Sequence, residues 1–166
     1  MENKSKPGRL YFISVLLLTL ILPLSSVIID SFVNKNRTGL YLMAGKWFIF
    51  WAVGMRLFIA GVKQVTDPSF TAKNIFHVED KDCHIIVREL GFANICFGIL
   101  GIISLFVPQW RVVSAFVSGL FYGIAGFNHI IKKPASANEM IALVSDVFIF
   151  LLLCIYLLTA FEPASF

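Results

Sequence analysis

The sequence predicts an all-α fold: an integral membrane helical bundle of five transmembrane helices, with a first helix preceding a four-helix core. Of the 166 residues, 58% are hydrophobic before the 11 glycines are counted, whereas soluble domains reach about 45–50% with glycine included. Charged residues make up 14%, against about 25% in globular proteins. This composition excludes a disordered chain, a disulfide-bonded secreted scaffold and almost any soluble enzyme of this size.

Five apolar stretches are long enough to cross a bilayer, which takes about 20 residues in a helix. They are predicted at approximately residues 10–29, 46–62, 89–106, 112–131 and 139–161. These stretches and their short connections occupy the chain. Residues 1–166 are therefore expected to form a single membrane domain without a separate soluble one.

The first stretch follows a short basic tail and contains no charge from Leu10 to Ile29. It is longer than the apolar region of a signal peptide, which runs to about 7–15 residues. Pro23 within it is tolerated in a membrane helix. We therefore expect an uncleaved transmembrane helix.

Polar and proline-containing segments separate the remaining helices. Thr66, Asp67 and Pro68 predict a helix end and a turn, and residues 69–75 are compatible with a short amphipathic helix on the membrane surface. Pro108 ends the third helix, and Pro134 closes the fourth. Short connections predict that helices three and four, and then four and five, form antiparallel hairpins.

The distribution of lysine and arginine predicts the orientation. Nine lie in the segments on the side of the N-terminus and four on the opposite side. The positive-inside rule then predicts a multi-pass membrane protein with a cytoplasmic N-terminus and an external C-terminus. The basic pI of about 9.1 is explained by loops that contact anionic lipid of the bilayer, and nucleic acid is not expected as a partner.

Six polar residues lie within or at the edge of the predicted helices, all in the half predicted to be cytoplasmic, and they form the candidate site: Arg56, Glu89, Asn94, Asn128, His129 and Asp146. A charge that faces lipid at mid-helix costs about 2.5–3.5 kcal/mol. Arg56 and Asp146 are therefore expected to face the interior and to pair, directly or through His129 or Asn128.

Two interpretations of this cluster remain open. It can fix helix packing, since polar contacts commonly join membrane helices, or it can line a polar pocket that opens toward the cytoplasm. Glu89 has two readings as well. Its carboxylate suits the N-terminus of the third helix electrostatically, or it turns inward to reach Arg56.

Stripes of small residues predict close helix packing. Gly119, Gly123 and Gly126 form one stripe on the fourth helix, and the third helix carries another that includes Gly91 and Gly98. We expect these stripes to pack helices three and four against each other, with a dimer face as the alternative.

The three cysteines form no Cys-x-x-Cys pair, so neither a disulfide framework nor a thioredoxin-type motif is predicted. Cys83 and His84 are adjacent but lack further ligands at metal-binding spacing, so no metal site is predicted. No sequence motif identifies a cofactor.

Three segments, Lys46–Gly61, Asp67–Ala72 and Arg88–Asn94, resemble a family of small prokaryotic polytopic membrane proteins with a domain of unknown function. In this resemblance, Gly126–His129 and Asp146 match polar residues of the fourth and fifth helices, and the family implies a prokaryotic cytoplasmic membrane as the location. The pattern Gly-x-Arg-x-x-x-Ala-Gly followed by Asp-Pro also resembles, more distantly, the DoxX-like four-helix membrane proteins. That second resemblance implies a link with quinone and thiol redox systems, with which the missing Cys-x-x-Cys disagrees.

For function, the interpretation favoured by the sequence is a non-enzymatic interaction or accessory subunit, with a membrane-protein partner or a homo-oligomer. One alternative is a binder or carrier of a small amphipathic ligand, a quinone or a lipid. Another is a membrane-embedded enzyme that uses His129 and Asp146 as acid and base. A cavity that touches Arg56, His129 and Asp146 would favour the alternatives, whereas a filled core would favour the accessory subunit.

Overall fold

A computed structural model describes residues 8–33 and 39–160, which form six helices and no strand. Five of the helices are long and apolar enough to cross a membrane, as predicted. The six helices are α1 (Arg9–Val33), α2 (Leu40–Thr66), α3 (Pro68–Asn74), α4 (Cys83–Phe106), α5 (Trp110–Lys132) and α6 (Ala137–Ala160). The short helix α3 lies where the sequence predicts a surface helix.

Several helices extend beyond the predicted limits. Helix α2 begins at Leu40 rather than Lys46 and ends at Thr66, while α4 begins at Cys83 rather than Glu89. The prediction placed ends at charged residues. Charge ends an apolar stretch, but lysine, arginine and glutamate are good helix formers and let the helix continue.

Both of the first two long helices contain a π-helical stretch, Leu17–Ile21 in α1 and Ile49–Met55 in α2. The first lies just before Pro23, whose ring lacks an N–H and crowds the carbonyl four residues earlier. The second lies directly before Arg56, and one of its carbonyls, that of Ala52, accepts a hydrogen bond from outside the helix. π-helical turns are rare in proteins as a whole, and those that occur are often found at functional sites.

Polar contacts join the end of α1 to the start of α2. Asp30 accepts hydrogen bonds from Lys46 Nζ and from Trp47 Nε1, and Trp51 Nε1 donates to Ser26 Oγ at 2.9 Å. Lys46, one of the four basic residues on the side opposite the N-terminus, is thus an ion-pair partner within α2. Removing it from the external count leaves the predicted orientation unchanged.

Glycines bring α2 and α4 into backbone contact. A Cβ atom built on Gly98 would lie 2.5 Å from the backbone nitrogen of Phe58, and one on Gly101 would lie 2.6 Å from the nitrogen of Gly54. A Cβ on Gly91 would lie 2.9 Å from the carbonyl oxygen of Gly61. The stripe of the third long helix therefore packs against α2.

The stripe on α5 packs against α6. The nearest atoms to Cβ atoms built on Gly119, Gly123 and Gly126 belong to Leu153, Phe150 and Val147, all on α6. The expectation that the two stripes pack helices three and four together is wrong. A stripe of small residues predicts a close approach, but it does not specify which neighbouring helix approaches.

The bundle has a buried centre and an apolar outside. Ile49, Val53, Tyr122, Ile149 and Leu153 are buried in the centre. Large apolar side chains cover the outer surface of every long helix. In water such a surface would be unfavourable, so its natural environment is the hydrocarbon of a bilayer.

Candidate functional site

The interior contains a cavity of about 570 Å³ at the end of the bundle where α2 ends and α4 begins. Its walls come from all five long helices, and α3 with the segment after it adds Phe70, Thr71, Ile75 and Phe76. The volume lies within the range of about 300–1,000 Å³ typical of small-molecule sites. The interior is therefore not filled at this level.

Arg56 and Asp146 meet at the wall of this cavity. Arg56 Nη2 donates to Asp146 Oδ1 at 2.9 Å and to Ser145 Oγ at 2.8 Å. The Ser145 hydroxyl in turn donates to the carbonyl of Ala142 at 2.9 Å. The two charges predicted to pair thus lie in direct contact, and the ion pair links α2 to α6.

A tyrosine supports the guanidinium from α5. The Arg56 Cζ atom lies 5.2 Å from the centre of the Tyr122 ring, within the range of a cation–π interaction. The Tyr122 hydroxyl donates to the carbonyl of Ala52 at 2.7 Å. The second terminal nitrogen of the guanidinium, Nη1, is buried and has no hydrogen-bond partner among the described residues.

A second polar group lies nearer the end of the bundle. Asn94 Nδ2 donates to Gln64 Oε1 at 2.7 Å, which joins α4 to α2. Asn94 is only 4% exposed, and its Oδ1 has no partner within the described part of the chain. Because α2 rises 1.5 Å per residue, Gln64 lies about 12 Å along the helix from Arg56. Both Gln64 and Asn94 line the cavity.

The other predicted site residues divide into two groups. Asn128 and His129 line the cavity from α5, although Asn128 is largely exposed at its edge. Glu89 is exposed and is not among the lining residues. It precedes the buried Gly91 by two residues, a spacing that places the two on different faces of a helix, so Glu89 does not reach Arg56.

The end of the cavity is covered by the segment that follows α3. His77 Nε2 lies 3.3 Å from Glu139 Oε2. The same carboxylate oxygen accepts the backbone N–H groups of Ala135 at 2.6 Å and Ser136 at 3.2 Å, and Ser136 Oγ accepts the N–H of Glu139. This reciprocal pair is a capping box at the start of α6, and it also holds the covering segment.

Lys63 contributes a charge at this end, where α2 gives way to α3. Its Nζ lies 2.6 Å from Asp67 Oδ2. The hydrogen bond from Lys63, followed by that from Ser69, lowers the pKa of the Asp67 carboxyl below its usual value. Asp67 therefore remains a carboxylate that compensates the nearby lysine.

Two apolar lining residues of the long helices are also exposed, Ile59 on α2 at 46% and Ile124 on α5 at 63%. Each lies about two helical turns from the end of its helix, roughly one turn nearer to that end than Arg56. Part of the cavity wall is therefore formed by side chains that are also exposed, at a depth where a bilayer has acyl chains.

Sequence reasoning missed three of these features. Gln64 was placed beyond the predicted end of its helix, although it lies two turns after Arg56 on the same side of α2. Tyr122 was not among the predicted site residues. The spacing of Ser136 and Glu139, Ser-x-x-Glu before an apolar run, is a recognised capping signal that could have located the start of α6.

These features define a multi-pass membrane protein whose bundle contains a mostly apolar cavity with a few polar groups in its wall. The chain belongs to DUF6790, a family of unknown function whose sequence model matches residues 10–163. No curated protein and no solved structure matches the chain. The match agrees with the resemblance to a family of unknown function, while the DoxX-like resemblance has no support in these comparisons.

Proposed function

We propose that this protein binds or carries a small amphipathic molecule, a quinone or a lipid, in the cavity beside Arg56. The observation that carries the proposal is a cavity of about 570 Å³ whose walls are mostly apolar and whose polar groups converge from several helices. Sites for small molecules have this composition, with a few placed polar groups that fix orientation.

The exposed apolar residues of the cavity wall favour a ligand that comes from the bilayer. Ile59 and Ile124 border the cavity at the depth of the acyl chains. An apolar chain can lie against these residues while its head reaches Arg56, at no cost of exposing apolar surface to water. With the N-terminus in the cytoplasm, as the basic residues predict, the cavity belongs to the cytoplasmic half of the membrane.

A role as an accessory subunit with a purely structural polar cluster receives less support. A cluster that only fixes packing needs no cavity beside it, and a buried guanidinium nitrogen without a partner among the described residues is unfavourable unless a ligand supplies one. The acid–base role of His129 and Asp146 stays a prediction.

The proposal is tested by what accompanies the purified protein. We expect native mass spectrometry after gentle extraction to detect one bound amphipathic molecule per chain. Ala125→Trp, which places an indole in the cavity, should abolish the adduct. Leu120→Trp is the matched control, because Leu120 lies on the same helix and is 50% exposed without lining the cavity.

Two results would contradict the proposal. One is the absence of any adduct from the wild-type protein, provided that added quinones and lipids also fail to bind. The other is an adduct that Ala125→Trp retains at the wild-type level, since the molecule would then lie outside the cavity.

A further inference from the structure

Resting on the proposed function, we infer that the ligand carries an uncharged head with a hydroxyl group, bound between Arg56 and the Gln64–Asn94 pair. The inference concerns the head alone and follows from the charges and the unpartnered hydrogen-bonding atoms of residues that line the cavity. Its shared chemistry is that of a partial acylglycerol or an alkylated hydroquinone.

Most charged side chains around the cavity already compensate one another in pairs. Among the described residues, the ionisable groups that line the deep part of the cavity are Arg56 and Asp146, which neutralise each other, His129, and the phenol groups of Tyr11 and Tyr122, which add no charge. Nearer the end of the bundle, Lys63 pairs with Asp67, Glu139 is held by backbone N–H groups and His77, and Lys132 is exposed. A charged head at Arg56 would upset a balanced pair away from water, which is unfavourable.

Arg56 offers the ligand a hydrogen-bond donor. Arg56 Nη1 is buried and unpartnered among the described residues, while Nη2 already serves Asp146 and Ser145. A guanidinium nitrogen only donates hydrogen bonds. The head must therefore present an oxygen that accepts, and a neutral hydroxyl or carbonyl oxygen does so without adding charge.

Asn94 offers the ligand a hydrogen-bond acceptor. Asn94 lines the cavity, and its Oδ1 is buried and lacks a partner in the described ranges, so it calls for a donor from the ligand. If both amides rotate, Gln64 donates to Asn94 and the free atom becomes the Asn94 amino group. A hydroxyl satisfies either arrangement, because it both donates and accepts, whereas an ester or a ketone satisfies only one.

The experiment uses three probes that share one chain and differ only in the head: 1-oleoylglycerol, methyl oleate and oleate. The full chain is purified in lauryldimethylamine oxide, since sugar detergents present hydroxyl groups of their own. We expect saturating 1-oleoylglycerol to raise Tm by about 5–10 °C, and the other two probes to raise it by less than a third of that.

Variants then assign the effect to the head site. Asn94→Leu should reduce the response to 1-oleoylglycerol to that of methyl oleate, because the hydroxyl loses its partner. Gln64→Met combined with Asn94→Leu removes both amides and serves if the single change is poorly folded. Ile99→Leu, on the exposed side of the same helix and outside the cavity, should retain the full response.

An alkylated hydroquinone, kept reduced, carries the same donor and acceptor on a ring. A Tm rise with the hydroquinone that exceeds the rise with 1-oleoylglycerol identifies a quinol, and the reverse order identifies an acylglycerol. Either order supports the inference, and both responses should disappear in Ala125→Trp.

The contrary outcomes separate the two proposals. If oleate stabilises most and Arg56→Gln abolishes its effect, the head is anionic; the inference fails while the proposed cavity stands. Equal shifts with methyl oleate and 1-oleoylglycerol also overturn the inference. If no probe shifts Tm, native mass spectrometry of the co-purifying molecule decides between the outcomes. A charged head group overturns the inference, and a neutral head group with a hydroxyl supports it. The absence of any bound molecule overturns both proposals.

Discussion

At the residue scale, the ion pair of Arg56 and Asp146 carries an asymmetry that follows from its chemistry. A guanidinium stays charged, whereas a carboxyl group that loses its cation can take up a proton. Asp146→Asn strands a permanent charge inside the bundle, while Arg56→Gln leaves a group that can become neutral. The two partners are therefore unequal in what their removal costs.

We expect Asp146→Asn to lower stability by about 3–5 kcal/mol, as for a broken buried pair, and Arg56→Gln to lower it by less. The double variant should recover part of the loss, because no charge remains uncompensated. Thermal stability and detergent-extracted yield of the two single variants and the double variant test this. Losses that simply add would show that the contact between the two side chains contributes no coupling energy.

The glycines give a graded prediction at the same scale. Alanine at Gly98 would press against the backbone of Phe58, which can give way only if α2 and α4 separate. Alanine at Gly119 would lie 3.6 Å from Leu153 Cβ, an ordinary contact. We expect Gly98→Ala to cost about 1–3 kcal/mol or more and Gly119→Ala to be tolerated, as measured by thermal melting. Equal stability of the two variants would contradict the close contact of α2 and α4.

Gly123 lies between these extremes. A Cβ there would approach the Phe150 ring at 2.8 Å, and a ring at the end of a side chain can turn aside. Gly123→Ala should therefore be milder than Gly98→Ala, whereas Gly123→Leu should reduce folded yield sharply. If leucine is tolerated as well as alanine, the packing of α5 on α6 is not as close as described.

At the scale of elements, the capping box of α6 and the segment after α3 share one carboxylate. Glu139→Ala removes two backbone hydrogen bonds to a charged group and should cost about 1.5–3 kcal/mol. His77→Ala removes only a half-exposed partner and should cost less than about 1 kcal/mol. Thermal melts of the two variants test this. A loss as large in His77→Ala would mean that the covering segment, rather than the cap, depends on this contact.

The elements also show how much the sequence could predict. Five spans, the short surface helix and the partnership of Arg56 with Asp146 follow from two penalties: exposing polar backbone in lipid and leaving a charge unpaired there. The helix partners of the glycine stripes could not be predicted, because a stripe fixes a distance and not a neighbour. Gln64 was missed because the helix continues past the lysine chosen as its end.

At the scale of the whole molecule, the orientation stays a prediction that labelling can test. In a background without Cys83, Cys96 and Cys154, a cysteine at Ala135 should be shielded from an impermeant thiol reagent in intact cells, and one at Gln109 should be labelled. Both positions are exposed in connections at opposite ends of the bundle. The reverse pattern would place the cavity in the outer half of the membrane. Ser165, an alternative external position, lies outside the described residues.

The two glycine-lined contacts have a mechanical consequence. Backbone contact makes α2 and α4 a stiff pair, because neither helix can slide or tilt without a clash, and the α5 glycines bring side chains of α6 close to the α5 backbone to form a second pair. The cavity lies between the pairs, spanned by the hydrogen bond of Tyr122 to Ala52 and by the salt bridge of Arg56. A head group that binds the free Nη1 of Arg56 would therefore lie where the two pairs are joined, and it would add a contact there while Nη2 keeps its bonds to Asp146 and Ser145.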